Sequence, residues 1–177
     1  MHLFINASGA VGCGRVFGTG WFQVRWPAWL IEAKPSIAVL ELLPVLVACA
    51  VWGKNWHGRR LFFHSDNTTV VTVRSKMSSP NVIIMNIIRR VFFIAAQNNF
   101  TLRVVHISGI DNSLADALSR FDNERVFTQH AKADRLGVSA DHTLEFLREA
   151  VLRPENCSNL KRDLETSLVN DWLRSLS

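Results

Sequence analysis

His2-Leu3-Phe4-Ile5-Asn6-Ala7 followed by Ser8-Gly9-Ala10-Val11-Gly12-Cys13-Gly14 decides the fold. An alternating apolar run ends at Asn6 and Ala7, and a glycine-punctuated turn sends the chain back. Gly14 to Gly18 and Trp21 to Trp26 read as two further strands joined by the Gly18-Thr19-Gly20 turn, with Pro27 ending the third. Three strands with tight turns imply an antiparallel meander. Trp21, Trp26 and Trp29 are expected to cover that sheet.

Ser36 then opens a helix to about Gly53, with Ile37, Leu40, Leu43, Val47 and Val51 at helical spacing and Pro44 expected to kink it. Arg60 to Asp66 is a fourth strand, Asn67 to Arg74 a short helix, Pro80 to Asn98 a long helix stopped by Asn98-Asn99, and Thr101 to Ile107 a fifth strand. A helix from Asn112 to Phe121 follows. The order βββαβααβα predicts an α/β fold, a mixed sheet with helices on its faces. Beyond Phe121 the pattern changes to amphipathic helices over Ala140–Leu152 and Ser158–Leu176, so residues 122–177 read as a helical appendage or linker toward a following module.

Charge follows the same division. Residues 1–121 hold 12 Lys/Arg against 5 Asp/Glu, and residues 122–177 hold 8 against 10, within a net charge of +5. A basic front part suits a polyanion such as nucleic acid, and equally an ordinary basic surface. Cys13, Cys49 and Cys157 form no pair with metal or disulfide spacing. The apolar stretch Ile37 to Trp52 carries Glu41 and Pro44 and is expected to be too short to span a membrane, and no signal peptide is visible, so an intracellular location, cytoplasmic or nuclear, is expected.

Glu41 is the one charged side chain between Lys34 and Lys54. An unpaired buried carboxylate costs several kcal/mol, so it should face a cleft or a cation. Asp66 at a strand end is, alone, a turn or cap residue. Asp116 shares a polar helix face with Asn112, Ser113, Ser119 and Arg120, which alone reads as solvated.

Taken in order, Asn6, Glu41, Asp66 and Asp116 stand on the four elements that carry the acidic quartet of the ribonuclease H family, which the chain resembles over about residues 1–121. Asn6-Ala7-Ser8 with Gly12-Cys13-Gly14, Glu41-Leu42-Leu43, His64-Ser65-Asp66-Asn67 and Asn112-Ser113-Leu114-Ala115-Asp116-Ala117-Leu118-Ser119-Arg120 resemble its four motifs. The likeness is greatest to the RNase H-like domains of DIRS-type and Ngaro-type retrotransposons, which lie between reverse transcriptase and tyrosine recombinase. It implies a mixed five-stranded sheet with flanking helices and a two-metal endonuclease cutting the RNA strand of RNA–DNA hybrids. Glu41, Asp66 and Asp116 would be the catalytic ligands of two Mg²⁺ (or Mn²⁺) ions roughly 4 Å apart. The reverse transcriptase and recombinase of the same polyprotein would be its neighbours, with no membrane involved.

The match breaks at its first position. Asn6 stands where the family has the Asp that bridges both ions, and an amide offers one neutral oxygen and a donor NH₂. The expectation is an inactivated nuclease. The alternatives are a non-catalytic nucleic-acid-binding or structural module, or a decayed element relic. Ser8, Asn67, Arg59, Arg60 and Arg120 are the candidate nucleic-acid contacts. For Arg59-Arg60, as for Arg89-Arg90, a solvated basic pair is an equal reading.

Overall fold

The computed structural model describes residues 1–68, 70–72, 79–131, 134, 137, 143, 144 and 148. Strands β1 (His2–Ala7), β2 (Gly12–Phe17) and β3 (Gly20–Arg25) form the meander; β4 (Arg60–Ser65) and β5 (Thr101–His106) complete one sheet of order β3-β2-β1-β4-β5. The pairs β1–β2 and β2–β3 are antiparallel, while β1–β4 and β4–β5 are parallel. The mixed five-stranded α/β architecture expected from the sequence is the one the chain adopts. Among the described residues its helices are α1 (Ala28–Glu32), α2 (Ile37–Trp52), α3 (Val82–Gln97), α4 (Ser113–Ser119) and α5 (Asn123–Gln129). Residues 68 and 70–72 form a helical turn between β4 and α3. The amphipathic helices expected over Ala140–Leu152 and Ser158–Leu176 fall outside the described residues, apart from 143, 144 and 148.

Strand alternation assigns the two faces. Leu3, Ile5 and Ala7 of β1 and Leu61 and Phe63 of β4 point into the main core, where they meet α2 and α3. α2 runs through Pro44 as one continuous helix, and every residue from Ala38 to Cys49 is buried. With the 3₁₀ turn Gly53–Trp56 it makes 20 residues, long and apolar enough to cross a membrane by length and composition, contrary to the expectation from its length. Burial of 72% of its most apolar window inside the fold identifies it as the core helix. α3 starts at Asn81, whose side chain accepts from the N–H groups of Ile83 and Ile84. It stops as expected at Asn98-Asn99, with Asn99 in the left-handed region at φ 51°.

Three features were not legible in the pattern. α1 is a single helical turn, positioned by the buried Trp29 and Leu30. α5 continues the chain past Phe121 and packs on α4, adding Val126 to a second cluster with Val16, Trp21, Ala117 and Leu118. Arg15 is fully buried under β2, its guanidinium 3.9 Å from the Trp52 ring centre and flanked by Phe17 and Trp56. Burial lowers its pKa well below the usual arginine value, an effect partly opposed by Cys49. Trp21, Trp26 and Trp29 are buried against the sheet, as expected.

Candidate active site

The C-terminal ends of β1 and β4 lie side by side because the two strands are parallel neighbours. Asn6 stands at the end of β1 and is buried; Asp66 follows the last residue of β4 and is half-buried. α4 brings Asp116 to the same place. Its approach depends on Gly14, the β2 residue in register with Asn6. A Cβ on Gly14 would stand 2.3 Å from the Leu118 Cβ and 2.7 Å from the Ser119 backbone nitrogen, so only glycine lets α4 lie this close to the sheet. α2 delivers Glu41 from the opposite face, where it is 5% exposed and accepts a hydrogen bond from the backbone N–H of Ala7.

The quartet thus meets at one end of the sheet, and its electrostatics register the meeting. The Glu41 carboxyl is pushed up to about 8, first by burial, then by the negative charges of Asp66 and Asp116, against the pull of the Ala7 N–H. In the absence of a cation, this favours the protonated form of Glu41 around neutral pH. Its Oε2 is buried without a hydrogen-bond partner.

Asn6 does the opposite of what an aspartate would do. Its Nδ2 donates to Asp116 Oδ1 at 3.0 Å and to Ser119 Oγ at 3.3 Å. Arg120 Nε holds the same Asp116 oxygen at 2.8 Å, and Arg125 Nη1 lies 3.5 Å from the other oxygen. Asn112, buried at the start of α4, donates from Nδ2 to the Ile5 carbonyl at 2.9 Å and to Asp66 Oδ1 at 3.2 Å, which ties Asp66 to β1. The polar groups of this end are largely satisfied by one another.

That arrangement does not fit two divalent ions. Such ions need hard anionic oxygens, yet Asp116 faces two guanidinium groups and an amide, and Asn6 presents N–H. Among the described residues no three His, Cys, Asp or Glu side chains converge as a metal-holding group.

The structure is similar to the crystal structure of RNase H1 from the halophilic archaeon Halobacterium salinarum NRC-1, with a TM-score of 0.47 and 12% sequence identity over 69% of this chain and 96% of that one. No family model matches the sequence, and no curated protein matches it. The functional reading rests on the side chains and not on this loose likeness.

Of the candidate nucleic-acid contacts, Arg120 is exposed at the site through its pairing with Asp116. Ser8 is buried and closes its own turn, its Oγ accepting from the N–H groups of Ala10 and Val11. Asn67 caps the helical turn after β4 by accepting from the Val70 N–H. Arg59 and Arg60 are exposed at the start of β4, the end of that strand away from Asp66. Sequence reasoning passed over Asn112, Ser119 and Arg125. The polar face of α4 contained the first two, but a solvated reading hid that this face points into the fold. Arg125 left no signal, since it acts from the next helix.

Proposed function

We propose that this chain is an RNase H-type endonuclease domain of a retroelement by descent, built to cut the RNA strand of RNA–DNA hybrids, and disabled in its present form by Asn6. The observation that carries the reading is the 3.0 Å hydrogen bond from Asn6 Nδ2 to Asp116 Oδ1, at the point where four separate elements deliver Asn6, Glu41, Asp66 and Asp116. A neutral donor sits where the resemblance calls for a bridging carboxylate, and it engages the neighbouring acid that would share a cation. The chain's own residues still perform the supporting work: Asn112 positions Asp66, Ala7 orients Glu41, and Gly14 admits α4. The motif words around the quartet support a place between reverse transcriptase and tyrosine recombinase.

The same hydrogen bonds favour a second reading, a nucleic-acid-binding module without catalysis, because they satisfy Asp116 without any cation.

The deciding experiment is cleavage of a labelled RNA–DNA hybrid in Mg²⁺ or Mn²⁺ by this chain and by its Asn6→Asp variant. Cleavage by the variant alone is the expected result. Cleavage by both would show that Asn6 does not disable the site. Cleavage by neither, with both folded and both binding hybrid, leaves the second reading in place of the first.

A further inference from the structure

One half of the sheet face that carries Asn6 is covered by α4 and α5, which pack on β1, β2 and β3. The other half presents rings. By strand alternation His2, Phe4 and Asn6 of β1, Phe62 and His64 of β4, and Arg103 and Val105 of β5 share this face. Register places His2 beside Phe62 and Phe62 beside Arg103, then Phe4 beside His64 and His64 beside Val105. The rings form a zigzag column: Phe62 on His2 at 5.2 Å, His2 on His64 at 5.1 Å and His64 on Phe4 at 4.9 Å, all within 20° of parallel. The column ends at the half-buried Phe62, and register puts the exposed Arg103 of β5 on the side of Phe62 away from β1.

The segment that carries β4 and β5 is basic in sequence. Between residues 54 and 110 the sequence has eight Lys/Arg, Arg59, Arg60 and Arg103 among them, and Asp66 is its only acid. A half-buried aromatic face beside an exposed guanidinium, in a basic setting, matches the chemistry of an unpaired nucleotide. The base stacks on the ring and the phosphate meets the arginine. The grooves of a duplex would not reach the ring face, because along a duplex paired bases expose edges and not faces.

We infer that the Phe62–Arg103 slot binds the base of a single-stranded nucleic acid, carrying the strand across β4 and β5 at the His2 end of the sheet face, four residues along the strands from Asn6 and Asp66. This rests on reading the chain as a nucleic-acid-handling domain, but not on its ability to cut.

The test is fluorescence anisotropy of a labelled single-stranded oligonucleotide against the full chain at low salt. A matched oligonucleotide lacking bases and a blunt RNA–DNA hybrid are run in parallel. Phe62→Ala should weaken single-strand binding by about tenfold or more, and Phe62→Leu, which keeps apolar bulk without an aromatic face, should weaken it similarly while folding normally. The oligonucleotide lacking bases should bind the wild type weakly and lose nothing further in either variant. Arg103→Ala should flatten the salt dependence by about one charge. Unchanged single-strand affinity in folded Phe62→Leu overturns the slot, as does equal wild-type affinity for oligonucleotides with and without bases. Absence of single-strand binding with a Phe62-dependent shift to dimer in sedimentation assigns the face to a second copy and also overturns it. Hybrid binding without single-strand binding removes the slot and leaves the proposed function standing. Loss of both removes both.

Discussion

Replacing Glu41 by glutamine should make the protein more stable in alkali, and the structure sets the scale. Glu41 is 5% exposed, its Oε2 has no partner, and its carboxyl is raised from 4.5 to about 8. Folding therefore favours the protonated form. Between 4.5 and about 8 the native state holds a proton that the unfolded chain has released, so stability falls as pH rises through this window. The stabilisation is complete below the unfolded value and lost above the folded one. At about 1.4 kcal/mol per pH unit the interval corresponds to about 5 kcal/mol, an upper limit because the site can relax around the charge. Glutamine mimics the protonated acid in shape and keeps an acceptor for the Ala7 N–H. Glu41→Gln and wild type should match within about 1 kcal/mol at pH 5. By pH 9 the variant should lead by a few kcal/mol, or about 10 °C in melting temperature for a chain of this size. Urea and thermal unfolding from pH 5 to 9, with chelator present, measure this directly. Parallel pH profiles for the two proteins would refute the reasoning, since they would mean that Glu41 is ionised and compensated in the native state.

Three other perturbations have defined outcomes. Asn6→Asp should lower stability in chelator by about 1–3 kcal/mol, because it exchanges two donated hydrogen bonds for a carboxylate facing Asp116; millimolar Mg²⁺ should raise the variant's melting temperature and leave the wild type's unmoved. Gly14→Ala should cost more than 3 kcal/mol, since the added methyl cannot coexist with Leu118 and Ser119 at their present positions; circular dichroism melting would show it, and a wild-type melt would mean that α4 is not seated as described. The His64 imidazole should titrate below the ordinary histidine value, first because it is partly buried and then because His2 lies against it; NMR titration should find its midpoint moving upward in His2→Ala, and an unmoved midpoint would exclude the contribution of His2.

How much of this was legible in the sequence depended on how far each side chain's partners lay along the chain. The meander, the long helices and the Asn98-Asn99 stop follow from local periodicity and turn residues, and the structure has them. Glu41 was visible as a lone acid in an apolar helix, because burying it has a cost that needs an explanation. Asp66 and Asp116 had no such mark; only their order with Asn6 and Glu41 picked them out. Asn112 and Ser119 were hidden because a short helix with one polar face reads as solvated, whereas here that face closes over β1. Arg15 was opaque for a related reason: its rings come from Phe17, Trp52 and Trp56, and only the closed fold brings the last two beneath β2. The continuity of α2 through Pro44 shows that packing on both sides outweighs one lost backbone donor.

On the proposed descent from a metal-dependent nuclease, the position of Asn6 would tie the loss of a ligand to a gain in stability. A carboxylate at this point, in register with Gly14 and against Asp116, would add a further acid to a corner that already holds Glu41, Asp66 and Asp116. Without a cation such a cluster repels itself, and the neighbouring acids add to burial in raising the Glu41 carboxyl. The amide replaces that repulsion with two donated hydrogen bonds, while Arg120 and Arg125 neutralise Asp116 from outside. Sites arranged to bind charge are commonly strained when empty, and mutations that relieve the strain stabilise the fold at the expense of activity. On the proposed reading, the exchange of one oxygen for an NH₂ would account for both halves of that trade. On that reading a chain carrying Asn6 would need no cation at this corner to stay folded, and the other three acids could persist with no metal to hold.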